Sequence, residues 1–164
     1  MKTDNIDIKI TFLNGAGQLY GLEAEACSGV SFAPATAGSA GFDLRANFAE
    51  GEAFSIEPGA RLGVPSGIAI EPLRSDVAGF VYSRSGLGAV QGLTVAQGVG
   101  VIDPDYRGEI KVFLLNTSGE VRTVRRGDRV AQLVFQPFFR PGFIVADELG
   151  ETERGGGGFG HTGR

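Results

Sequence analysis

The sequence predicts an all-β chain: a jelly roll or distorted β-barrel with at most one short helix and a flexible, glycine-rich C-terminal arm. Three observations lead there. Apolar residues alternate with polar ones in short runs, the pattern of strands with one buried face. Turn dipeptides separate the runs, as in all-β sandwiches and barrels. Helical signals are confined to a single stretch.

In chain order, IDIKITFL (6–13) sets Ile6, Ile8, Ile10 and Phe12 against polar partners. EAFSIEP (52–58) does the same with Phe54 and Ile56, and GIAIEP (67–72) with Ile68 and Ile70. EIKVFLLN (109–116) and RVAQLVFQPF (129–138) are richer in apolar residues and fit strands buried on both faces. Asn14-Gly15, Pro58-Gly59, Ser118-Gly119, Gly127-Asp128 and Pro141-Gly142 are the intervening turn signals. SRSGLGAVQ (83–91) is the helical stretch, with serine available to cap one or two turns. Residues 14–30 read as an irregular connection. Composition shifts only after about residue 150, so residues 1–150 form one β domain and residues 151–164 the arm.

Composition narrows the function. Fifteen Lys and Arg against nineteen Asp and Glu give a net charge of -4, which argues against a general nucleic-acid binder. The cations are mostly Arg, whose planar fork suits phosphate or carboxylate. One cysteine, Cys27, allows no intrachain disulfide and points to a reducing compartment. One cysteine and one histidine in the whole sequence argue against a thiolate and imidazole zinc site. The first residues, MKTDNIDIKI, carry charges where a signal peptide needs an apolar run, and no segment approaches a membrane span of about 20 residues. The expected setting is cytoplasmic.

Five stretches can carry chemistry. In AGSAGFDLRAN (37–47), Asp43 reads as a turn cap at a strand start or as a site residue. SRSGLG (83–88) gathers Ser83, Arg84, Ser85, Gly86 and Gly88 at a helix start, an anion site or an ordinary capped turn. AQGVGVIDPDYRGEI (96–110) is densest: Gly98 and Gly100 permit close approach to a hairpin backbone, and Asp103 and Asp105 flank a proline before Tyr106 and Arg107. That carboxylate pair suits general-base work, and DPDYRG is equally a good turn. GDRVAQL (127–133) places the amide of Gln132 among apolar neighbours, where it needs partners. RGGGGFGHTGR (154–164) is costly to order, so it either stays open or is held by what it binds. Its glycines mimic a dinucleotide fingerprint but lack the strand and helix around one.

Taken together and in this order, AGFDLRA, SRSGLG, GVIDPDYRGEI, GDRVAQL and RGGGGFGHTG resemble the five motifs of the deoxyuridine triphosphate nucleotidohydrolases (dUTPases). The likeness runs from about residue 33 to residue 164. It implies a jelly-roll homotrimer with active sites at subunit interfaces, cleaving dUTP to dUMP and pyrophosphate with Mg2+. Such an activity keeps uracil out of DNA and supplies dUMP for thymidylate synthesis. By the resemblance, Asp103 is the general base for water attacking the α-phosphorus, and Arg84, Ser85 and Gly86 hold phosphate oxygens. Tyr106 packs on the deoxyribose, while Gln97, Gly100, Val101 and Ile102 read the uracil edge and Lys111 contacts the nucleotide. Asp43 and Gln132 support metal waters and phosphates, magnesium being held mainly by substrate and water. In the arm, Phe159 stacks on uracil, Arg154 reaches the terminal phosphate, Gly158, Gly160 and Thr162 offer backbone or hydroxyl donors, and His161 with Thr162 supports the phosphates.

The chain departs from the common pattern where Gln97 stands for Asn, Phe42 for Tyr or Leu, and His161 for Ser. A related fold-mate, deoxycytidine triphosphate deaminase, needs a glutamate where this chain has Phe113, which cannot shuttle protons. Two other readings, a non-hydrolytic nucleotide sensor and a structural jelly-roll assembly protein, explain the strands but leave the site residues or the arm without a task.

Overall fold

The computed structural model describes residues 5–21, 32, 34, 36 and 38–158. Its strands, in chain order, are β1 (Ile8–Phe12), β2 (Phe42–Arg45), β3 (Ala53–Ile56), β4 (Arg61–Pro65), β5 (Ile68–Pro72) and β6 (Val77–Tyr82). They continue with β7 (Leu93–Val95), β8 (Gly100–Ile102), β9 (Lys111–Asn116), β10 (Arg122–Arg125) and β11 (Arg129–Pro137). Among the described residues, helix is limited to two single turns: a tight one at Ala16–Tyr20 and a wide, π-type one at Gly86–Val90.

The largest sheet has the order β2-β11-β6-β8, and a second has β4-β9-β7. β1 pairs with β5 and β10 with β3, and every pairing is antiparallel. Neighbours in space are mostly distant in sequence, so the expected all-β architecture is reached through crossovers between sheets. β7 and β8 lie in different sheets. The turn between them is therefore a corner, not the hairpin expected from AQGVGV, because β7 follows β9 while β8 adds to β6.

The alternation expected for residues 67–72 holds, with Ile68, Ile70 and Pro72 inward. β9 alternates too, contrary to burial on both faces: Val112, Leu114 and Asn116 point in, Lys111 and Phe113 out. β11 comes closer to the expectation, because a bulge opposite β2 between Arg129 and Ala131 sends both Val130 and Ala131 inward. Beyond the bulge, Gln132 stands on the outer face in one row between Asp43 of β2 and Tyr82 of β6.

Leu44, Ile56, Val64, Ile68, Leu93, Val112, Leu114, Val130 and Leu133 belong to one core cluster. Each such side chain stabilises by roughly 1.5–3 kcal/mol on burial. Asn116 is fully buried and saturated. Its amide nitrogen donates to the carbonyls of Ile56 (2.8 Å) and Glu120 (2.7 Å), and its oxygen accepts from Ser118 N–H and Oγ.

The connection over residues 14–30 is not wholly irregular. Ala16 and Tyr20 in its tight turn enter the core, and Gly67, at φ +71°, leaves the space that the Ala16 methyl fills. Tyr20 Oη donates to the Ser66 carbonyl (2.8 Å) and accepts the Arg45 N–H (2.9 Å). Burial pushes this phenol up from 10.0 to about 12, against the smaller opposing pull of Arg45.

Candidate active site

Two cavities collect the residues expected to carry chemistry. The first, of about 340 Å³, is lined by Gln97, Gly100, Val101, Ile102, Asp103, Tyr106 and Lys111 together with Glu109, Phe113 and buried Val81, Val95 and Val112. β8 is the edge strand of its sheet, so among the described residues the outer backbone groups of Gly100–Ile102 have no strand partner and are free to pair with a ligand. Gly98 makes the corner before it at φ +81°, its N–H bonded to the Val95 carbonyl at 2.9 Å. A Cβ at Gly100 would meet Val81 at 3.2 Å and the Gln97 amide nitrogen at 3.3 Å, which places that amide over the strand.

The Asp-Pro-Asp-Tyr segment is a turn as well as a site. Tyr106 N–H bonds the Asp103 carbonyl at 3.1 Å, and the Asp103 side chain is exposed at the cavity. Asp105 does not line it. Tyr106 Oη donates to the Glu109 carbonyl (3.0 Å), and the ring lies over Gly108, where a Cβ would collide with the hydroxyl. Arg107 turns away to Glu71 at 3.4 Å. Phe113, opposite Gly63 on β4, lays its ring over that glycine and forms an apolar wall.

The second cavity, of about 360 Å³, is lined by Ser39, Ala40, Gly41, Asp43, Arg84, Ser85 and Gln132. Asp43 is a partner of two arginines here rather than a turn cap. Its carboxylate accepts from Arg84 Nε at 2.7 Å and from Arg129 at 3.2 Å. Gln132 donates to the Ser83 carbonyl at 3.0 Å. The expected serine cap does not form: Ser85 begins the wide turn with no side-chain bond, and Ser83 Oγ instead accepts the Val95 N–H (2.8 Å). Ser85 and Gly86 are left exposed; Ser85 lines the cavity with Arg84, and Gly86 lies outside its lining.

The cavities share no lining residue. β2 and β8 are the opposite edges of the four-stranded sheet, three strand spacings or about 14 Å apart. Arg154 joins neither cavity; its Nε donates to the Gly157 carbonyl at 2.7 Å. Phe159, Gly160, His161 and Thr162 lie outside the described residues. Sequence reading missed Glu109 in the first cavity, since nothing in GEI marks its carboxylate as turned inward, and Ser39, Ala40 and Gly41 in the second. Among the described residues no group of three or more His, Cys, Asp or Glu is placed to hold a metal ion, and no helix is long and apolar enough to cross a membrane.

The dUTPase family model matches residues 28–163. The deoxyuridine 5'-triphosphate nucleotidohydrolase of Desulfitobacterium hafniense (strain DSM 10664 / DCB-2) is 51% identical over 129 residues, covering 79% of this chain and 84% of that protein. The crystal structure of dUTPase from Streptococcus mutans is 30% identical with a TM-score of 0.60, over 68% of this chain and 88% of that one. A mutant dUTPase of Staphylococcus bacteriophage 80alpha, solved with dUpNHpp, shares the fold at 19% identity and a TM-score of 0.75, over 99% of this chain and 100% of that one. With about half of 129 aligned residues identical to a family member and the family model spanning the residues that line both cavities, the chain belongs to the dUTPase family.

Proposed function

We propose that the chain hydrolyses dUTP to dUMP and pyrophosphate. The observation that supports this best is the first cavity, where an exposed carboxylate, an aromatic ring and the free edge of a strand face one space sized for a nucleoside. Edge-strand amides and carbonyls suit the alternating donors and acceptors of uracil. Tyr106 presents its ring to the deoxyribose, leaving no room for a 2′-hydroxyl. Asp103 orients and deprotonates the water that attacks the α-phosphorus, a role typically worth about 10²–10⁴-fold.

The phosphates need cations, and the second cavity has them. Arg84, with the Ser85 hydroxyl and the Gly86 N–H, offsets the charge of the triphosphate. Because the two cavities are separate in one chain, a homotrimer joins the first of one subunit to the second of its neighbour. Exposed apolar groups favour such an assembly. Phe80, Val101 and Val134 form a row across the outer face of the large sheet, and Phe139, Phe143, Ile144, Val145 and Leu149 are all at least 91% exposed. Residues 151–164 then close over the bound nucleotide, with Arg154 and Phe159 at its two ends.

Magnesium fits the oxygen set of the second cavity through water. Ser39, Asp43, Ser85 and Gln132 offer oxygens without forming a protein cage, as suits an ion that keeps several waters and binds phosphates. When bound, it supplies charge neutralisation at the phosphate oxygens. The activity belongs in the cytoplasm, where it would remove dUTP and provide dUMP. Product analysis with dUTP, dTTP and dCTP side by side tests the reading. Pyrophosphate from dUTP alone is expected; intact dUTP would indicate a sensor, and ammonia from dCTP a deaminase.

A further inference from the structure

We infer that Glu109 is a positioning residue for substrate selection, one that fixes the Tyr106 ring against the sugar. This rests on the dUTP reading above and deepens it. Tyr106 is nearly half exposed at the cavity, and the turn that carries it leaves the ring free to swing unless its far end is tied. The tie is the bond from Tyr106 Oη to the Glu109 carbonyl, 3.0 Å. That carbonyl is itself held. The Glu109 carboxylate folds back and accepts the Gly67 N–H at 2.8 Å, so both ends of the residue are pinned.

Gly67 is a firm anchor. Ser66 Oγ donates to the Ile110 carbonyl at 2.6 Å, and the Ser66 carbonyl accepts the buried Tyr20 hydroxyl. Ile110 N–H in turn bonds the Ile68 carbonyl at 2.9 Å. Gly67 cannot shift toward the core because Ala16 and Asn47 already occupy the place of its missing Cβ. A chain of hydrogen bonds therefore runs from the amino-terminal turn, which lies outside the matched family region, through Ser66–Gly67 and Glu109 to the ring. Movement of that ring by a fraction of an ångström opens the space in which a ribose hydroxyl would sit.

Steady-state hydrolysis of dUTP and UTP by the full chain tests this, with wild type, Glu109→Ala, Glu109→Gln, Tyr106→Phe and the Glu109→Ala/Tyr106→Phe double variant. The expected result is a fall of about three- to tenfold in the dUTP over UTP ratio of kcat/KM for Glu109→Ala, the worth of one net hydrogen bond. Glu109→Gln keeps most of the ratio because its amide oxygen still accepts from Gly67. Tyr106→Phe shows the same fall, and the double variant falls no further, since both changes cut one chain of bonds. Should Glu109→Ala fail to fold, Glu109→Asp replaces it, its carboxylate one methylene short of Gly67. A wild-type ratio in the alanine or aspartate variant, or additive losses in the double variant, overturns the inference alone. A wild-type chain that leaves dUTP intact overturns the substrate reading and this inference with it.

Discussion

Arg84 donates through Nε to the Asp43 carboxylate at 2.7 Å, a bond between strand β2 and the serine-rich turn 41 residues later. Arg129 approaches the other oxygen of the same carboxylate, so Asp43, which lines the second cavity with Arg84, holds two guanidinium groups. In the proposed phosphate site this anionic side chain would aim the Arg84 cation.

Asp43→Ala releases Arg84 from that aim. Both side chains are about a quarter exposed, so the pair contributes at most about 1 kcal/mol to stability and the melting temperature falls only slightly. Turnover of dUTP falls much further, by about 10²-fold, the typical cost of misplacing a binding group by 1 Å. Steady-state kinetics beside a thermal melt separate the two effects. Unchanged turnover would remove Asp43 from the phosphate site.

Gly41 is required by Gln132. A Cβ at residue 41 would stand 2.8 Å from the Gln132 amide oxygen and 3.2 Å from its Cβ. Gly41→Ala pushes the amide off the Ser83 carbonyl and strains the β2 and β11 pairing, costing about 1–3 kcal/mol. Urea unfolding measures the cost, and the same variant loses dUTP turnover. Full stability together with full activity would show that the amide can relocate freely.

Tyr20 makes stability sensitive to alkali. Its folded value of about 12 lies above the ordinary 10.0, so the fold favours the neutral phenol. That contribution is complete below pH 10 and is lost as the pH rises from 10 to 12. Tyr20→Phe costs about 1–3 kcal/mol at neutral pH by stranding the Arg45 N–H and the Ser66 carbonyl. Between pH 8 and pH 11 the wild type should lose about 1 kcal/mol more than the variant. Urea titrations at the two values check it, and equal losses would place the titrating group elsewhere.

Removal of residues 151–164 should abolish most turnover and leave the assembly intact. Glycine makes up much of this segment and is costly to order, which suits a lid that closes on the nucleotide, and the subunit contacts proposed above precede it. Size-exclusion chromatography with light scattering and pyrophosphate release measure the two properties on one sample. A truncated chain with full activity would exclude the lid.

Much of this was legible in the sequence, for physical reasons that differ by element. β1 and β5 announce themselves because one face meets the core and the other does not, which period two records directly; β9 was legible as a strand but not as a one-faced one, because Phe113 and Leu115 add apolar residues to its outer positions. β4 and β6 do not announce themselves, because Gly63 and Gly79 interrupt the alternation; each makes room for a neighbour, Phe113 and Leu133 respectively. β7 is three residues long and takes its conformation from β9. The site was legible as motifs, since Asp103, Tyr106 and Lys111 do line one cavity and Asp43, Arg84, Ser85 and Gln132 another. Their separation at opposite sheet edges was not, because it depends on β11 and β6 pairing between them. Nor was the role of Glu109, whose partner Gly67 is 42 residues distant.

The central claim is that water, activated by Asp103, attacks the α-phosphorus of dUTP. Single-turnover hydrolysis in oxygen-18 water, with phosphorus NMR or mass analysis of both products, tests it most directly. Wild type should place one labelled oxygen in the phosphate of dUMP and none in pyrophosphate, while Asp103→Asn binds dUTP and releases neither product. Label in pyrophosphate, or wild-type turnover by Asp103→Asn, would contradict the account.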